Sequence, residues 1–114
     1  KADSDWQAVM VPKLRAHLAM EEGHTQEAIQ HFREFMRAAA AQTPDSAALA
    51  QTLGMNAARI GDLWRGIGEA DKAQAAYVEA RAHYNQALKF DGHTPEQKKS
   101  IGEQLARIAS QLED

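Results

Sequence analysis

The sequence predicts an all-α fold, and three observations carry that expectation. Apolar residues recur at spacings of three and four along most of the chain, the period of one helix face. Helix-start chemistry precedes these stretches, most clearly at Thr43-Pro44-Asp45-Ser46 and Thr94-Pro95-Glu96-Gln97. No stretch of useful length alternates apolar and polar residues as a half-buried strand would. At 114 residues, with 44% hydrophobic and 25% charged residues, the chain is expected to form one globular domain.

The first helix is read over about residues 5 to 21. Ser4 and Gln7 have capping-box spacing. Trp6, Met10, Leu14 and Leu18 follow at intervals of four, and Pro12 predicts a bend. Gly23 ends this helix and Thr25 is expected to cap the second, which runs to about residue 41. Its apolar face is Ala28, Phe32, Phe35 and Ala39.

Thr43 is expected to cap the third helix, with Pro44 in its first turn. Leu49, Leu53, Ala57, Ile60, Trp64 and Ile67 form its stripe. Gly54 and Gly61 lie within that pattern, which predicts close approach of another backbone. The fourth helix, about 71 to 90, carries Ala73, Tyr77, Ala80, Tyr84 and Ala87, and Gly92 is expected to stop it. The last helix, about 95 to 112, carries Ile101, Leu105, Ile108 and Leu112, with a capping box from Thr94 to Gln97.

The pattern repeats. At an offset of 45, Gly23 meets Gly68 and the stripe of the second helix meets that of the fourth. The first and third helices align better at 46, which implies an extra residue in the first turn. The chain thus divides into a hairpin at 5–41, a hairpin at 44–90 and a single helix at 95–112. Stacking would bury what one hairpin leaves exposed.

Residues 57 to 80 resemble a tetratricopeptide repeat. They place Ile60-Gly61, Trp64, Gly68, Ala73, Tyr77 and Ala80 at that family's spacing. Residues 11 to 36 match in part: Gly23, Ala28 and Phe32 fit, Phe35 replaces a small residue, and Arg15 or Ala16 stands in the place of a Gly. The period of 45 to 46 exceeds the usual repeat of roughly 34 residues and is similar to long-repeat members. The resemblance implies a right-handed stack of two antiparallel helical hairpins with a C-terminal capping helix. It also implies a non-catalytic module that binds a partner protein or peptide.

Ligands of that family lie along the concave face formed by the first helix of each repeat. The resemblance therefore implies partner-binding positions at Met55, Ala58, Asp62 and Arg65 in the third helix and Lys99, Glu103 and Arg107 in the last. Ala58 and Asp62 occupy positions where relatives that grip a C-terminal carboxylate carry other residues, so that ligand is not expected. Exchanging charges through Asp62→Arg with Arg65→Glu is expected to spare the fold and abolish partner capture. An array end bearing Trp6, Val9 and Met10 offers an alternative, self-association into a homodimer or scaffold.

Other chemistries find little support. The chain has no cysteine, which excludes disulfides and thiolate metal sites. Its five histidines suggest a metal-binding helical protein as a third reading, yet His17, His24 and His31 straddle the Gly23 turn. No metal, cofactor or catalytic residue is expected. Glu21-Glu22 and Glu113-Asp114 read as solvated charge, and Arg65–Gly68 lacks the Lys and Ser/Thr of a phosphate loop. Trp64 and Tyr77 read as core. A net charge of −3 without a basic cluster argues against nucleic acid. No membrane insertion is expected. A soluble piece of a processed or excised protein, cytoplasmic or periplasmic, is the resulting picture.

Overall fold

A computed structural model describes residues 2–113, with side chains described from 6 to 112. The described residues are all-helical: α1 (Ala2–Glu21), α2 (Thr25–Gln42), α3 (Ala47–Gly66), α4 (Ala70–Leu88) and α5 (Pro95–Glu113). None of these helices is long and apolar enough to cross a membrane. Contacts group the chain into two units, residues 1–44 and residues 45–114.

In the first unit α1 packs against α2. Helix α1 continues through Pro12, and its start lies before Ser4; the Ser4 side chain lies outside the described residues. The apolar stripe read on α1 is not its packing face. Leu14 and Leu18 are 60% and 56% exposed, whereas Ala16 and Ala19 are buried. Phe32 and Phe35 of α2 are buried as expected. Two such rings leave room only for small partners, because large side chains opposite them would overpack the interface. The His17 ring meets Phe32 edge-on at 5.3 Å, and the Lys13 ammonium lies 5.6 Å over Phe35.

The second unit is α3 against α4 and α4 against α5. Its core holds Leu49, Ala57, Ile60, Tyr77, Ala80, Tyr84, Ile101 and Ile108. The two glycines of the α3 stripe make room for rings rather than for backbone. A Cβ on Gly61 would lie 2.7 Å from the Tyr77 ring, and one on Gly54 would lie 2.9 Å from the Tyr84 ring. Trp64 is half-buried, with the Lys72 ammonium 4.6 Å over its face.

Helix ends refine several expectations. The Thr94 capping box forms: the Gln97 N–H donates to Thr94 Oγ1 at 3.1 Å, and the Thr94 N–H donates to Gln97 Oε1 at 2.8 Å. Thr43 instead closes α2, donating its N–H to Ala39 O. Ser46 caps α3 by accepting from the Leu49 N–H at 3.1 Å. Pro44 has no N–H and restricts the residue before it to extended conformations, so the chain turns there and the next small hydroxyl becomes the cap. Thr25 is the first residue of α2, and no side chain caps that helix. Helix α4 ends at Leu88, short of Gly92.

The two hairpin turns are bonded alike. Gly23 N donates to Met20 O and His24 N to Ala19 O; Gly68 N donates to Arg65 O and Glu69 N to Trp64 O. Every one of these positions differs by 45, and both glycines have left-handed φ, 79° and 82°. The offset of 46 read for the first helices is therefore corrected to 45, with no extra residue in the first turn. Ala16 corresponds to Gly61, and His17 to Asp62.

Candidate binding groove

On α3, residues 51, 52, 55, 58, 59 and 62 fall along one side of the helix by their spacing of three and four. On α5, residues 100, 104 and 107 do the same. Tyr84 of α4 joins both sets in one lining. Gln51, Thr52, Met55, Tyr84, Ser100, Ile101 and Gln104 enclose a depression of about 260 Å³. Met55, Ala58, Arg59, Asp62, Tyr84, Gln104 and Arg107 enclose an adjoining one of about 190 Å³. Met55, Tyr84 and Gln104 belong to both, which makes them one groove.

The groove is closed at one end by a polar relay. The Tyr77 hydroxyl, on a side chain with no exposed surface, donates to Asp62 Oδ1 at 2.5 Å. Arg107 Nη2 donates to Asp62 Oδ2 at 2.7 Å. One carboxylate thus ties α4 and α5 to α3. Burial, then the bond to Asp62, pushes the Tyr77 hydroxyl up to about 12. The same Asp62 bond raises Arg107 above its ordinary value, and burial raises Tyr84. Arg65 lies 5.9 Å over the Tyr77 ring.

Asn56 of α3 is a buried amide side chain. Its Nδ2 donates to Thr52 O at 2.8 Å, and its Oδ1 accepts from Arg59 Nη1 at 3.5 Å. The groove therefore has a mostly uncharged stretch of amides and hydroxyls with Met55 and Tyr84, and a charged end at Arg59, Asp62 and Arg107.

Four of the seven expected positions, Met55, Ala58, Asp62 and Arg107, line this groove. Ala58 does so from a buried position, and Met55 is 45% exposed. Arg65, Lys99 and Glu103 are exposed outside it. Gln51, Thr52, Arg59, Tyr84, Ser100 and Gln104 were missed. For Gln51, Thr52, Arg59, Ser100 and Gln104 the signal was present in the helical spacing from Met55 and Arg107, but polar residues on a polar face look like ordinary solvated surface; Tyr84 of α4 reads as core from its own stripe. Asp62 also does more than face outward. It anchors Tyr77 and Arg107, so Asp62→Arg would disturb helix packing, contrary to the expectation that the charge exchange spares the fold.

In the first unit Trp6 is 60% exposed, and Val9 and Met10 are half-buried. The histidines are held locally. His31 lies 2.6 Å from Glu34, His83 lies 3.6 Å from Glu79, and His93 Nε2 donates to Ala87 O at 2.7 Å. Among the described residues no three His, Asp or Glu gather as a metal site would require.

Comparison with protein-family models, with curated proteins and with solved structures yields no match to this chain.

Proposed function

We propose that this chain is a non-catalytic protein-interaction module, a short tetratricopeptide-like array that binds an extended segment of a partner protein. The binding surface is the groove between α3 and α5. The observation that carries this reading is the groove's lining: exposed Met55 and the Tyr84 ring offer apolar contact, and Gln51, Thr52, Ser100 and Gln104 offer paired donors and acceptors. An extended peptide presents that same mixture, with a free N–H and C=O at nearly every residue.

The test is a photo-crosslinking amino acid placed at Gln51 or Ser100, with a control at Arg37 on α2. Partner capture is expected from the groove positions and not from the control. Met55→Glu should lower capture severalfold without altering the circular dichroism melt. Capture that is equal at all positions and insensitive to Met55→Glu would remove the groove from consideration.

A second reading, self-association, is favoured by the exposure of Trp6, Leu14 and Leu18 on α1. Light scattering at rising concentration would then show a dimer, lost in Leu14→Glu with Leu18→Glu. A concentration-independent monomer would dispose of this alternative.

A further inference from the structure

Tyr77 and Tyr84 share one face of α4, and their hydroxyls differ in one respect. Tyr77 donates to Asp62. Tyr84 is nearly as buried, at 4% exposed, yet its hydroxyl bonds to no group among the described residues. It lines both depressions of the groove, and with buried Ile101 it forms the floor beneath the exposed rim residues Met55 and Ser100. Burial raises the Tyr84 hydroxyl above its ordinary value, so it keeps its proton and can donate at neutral pH. Charge does not decide what binds over this floor. Gln51, Thr52, Ser100 and Gln104 surround it, and none is charged. In the adjoining depression Arg107 is bonded to Asp62 at 2.7 Å, and Arg59 is engaged by Asn56 and by a further interaction within the chain. A charged side chain lowered to the floor would lose water without gaining an unshared counter-ion. An apolar one would leave the Tyr84 hydroxyl without an acceptor.

We infer that the groove floor receives the side-chain amide of an Asn or Gln in the bound segment, its carbonyl accepting from the Tyr84 hydroxyl. The inference rests on the groove reading above and adds to it the side chain that sets the segment's register. An amide both donates and accepts, as do the side chains of Gln51, Thr52, Ser100 and Gln104 around it, so its NH2 group also finds an acceptor there. Its aliphatic stem lies against exposed Met55. Main chain passing along the rims of α3 and α5 stays above the floor, so a side chain makes this contact. Tyr84 is thus a binding residue, whereas the hydroxyl of Tyr77 serves the fold.

The experiment uses three randomised octapeptide pools with blocked termini, alike except for one central Gln, Glu or Met. Met matches Gln in length without its amide. Retention of each on the immobilised full chain is measured. The Gln pool should be retained about fivefold more than the Met or Glu pool, the size of one net hydrogen bond. Added salt should leave the preference over Met unchanged, because no ion pair carries it. Tyr84→Phe should erase that preference while leaving Met-pool retention and the urea midpoint unchanged, since the hydroxyl has no partner within the chain to lose. Equal retention of the Gln and Met pools, or preference for Glu, overturns the amide contact and leaves the groove reading standing. An equal loss of all three pools in Tyr84→Phe also overturns it, assigning the hydroxyl to main chain. So does a urea midpoint that falls as far in Tyr84→Phe as in Tyr77→Phe, which would give the hydroxyl a role in the fold. Retention of no pool overturns both readings, as does a dimer abolished by Met55→Glu, which would assign the groove to a second copy.

Discussion

The two hairpins share a turn and differ at the interface behind it. In the first, Phe32 meets the His17 ring and Ala16 is buried; at the equivalent positions of the second stand Tyr77, Asp62 and Gly61. A second exchange accompanies the first: Val9 and Ala39 in one hairpin correspond to Gly54 and Tyr84 in the other. The bulkier residue of this second pair changes sides, from α1 in one hairpin to α4 in the other, while Phe32 and Tyr77 both stand on the second helix of their hairpin. What the second hairpin gains is a hydroxyl at the end of a buried ring. That hydroxyl needs an acceptor, Asp62 supplies it, and the remaining carboxylate oxygen reaches Arg107 on α5. The first hairpin, with Phe32, has no hydroxyl to satisfy. The Tyr77 hydroxyl, with Asp62 in the place of His17, thus gives the second hairpin a polar relay that reaches the groove.

The largest effect is expected from closing the gap that admits Tyr77. Gly61→Ala should gain up to ~1 kcal/mol of helix propensity yet lose about 2–3 kcal/mol net, since its Cβ would lie 2.7 Å from a ring that is fully buried and tethered to Asp62. Ala16→Gly in the first hairpin should cost only about 1 kcal/mol. Urea unfolding of both variants checks the contrast; equal losses would mean that the two interfaces are alike.

Next comes the hydroxyl itself. Tyr77→Phe makes the second hairpin resemble the first and should cost about 1.5–3 kcal/mol, the value of a hydrogen bond to a charged group. It should also remove an alkaline limb of stability. Tyr77 titrates near 10 when unfolded and about 12 when folded. Below 10 both states hold the proton and stability is unaffected by it. Between these values the unfolded chain releases its proton first, so stability falls as pH rises, by of the order of 2 kcal/mol across the window. Urea midpoints from pH 9 to 12 should fall more steeply in the wild type than in Tyr77→Phe; parallel curves would show that burial and Asp62 together do not hold the proton on Tyr77.

Gly54→Ala should cost about 1 kcal/mol, less than Gly61→Ala, because the Tyr84 ring it meets lines the open groove and has room to shift. A thermal melt ranks the pair. The smallest effect runs the other way. Gly102 on α5 faces open space, and Gly102→Ala should stabilise by up to ~1 kcal/mol, visible as a higher urea midpoint.

Much of the second unit could be read in advance because its residues are locally unambiguous. Ile60, Ala73, Tyr77, Ala80 and Ile108 are buried where their periodicity places them, and Thr94 caps α5 as its spacing with Gln97 requires. The first helix was misread because periodicity finds an apolar face without saying whether anything packs on it. Leu14 and Leu18 have the right spacing, but the Phe side chains opposite admit Ala16 and Ala19 instead. The groove was half legible for a related reason. Met55, Asp62 and Arg107 stand out as an exposed apolar residue and charges, whereas Gln51, Thr52 and Gln104 acquire meaning only when α5 faces them.

By itself, the sequence determined the helices, their turns and most of the second core, since helix periodicity, Gly23, Gly68 and the Thr94 box act over a few residues. Tertiary structure alone decided which face of α1 is packed and what Asp62 does. Both depend on partners far away in sequence: Phe32 and Phe35 set the space left for α1, and Tyr77 and Arg107, 15 and 45 residues from Asp62, meet at its two oxygens only after α3, α4 and α5 have packed.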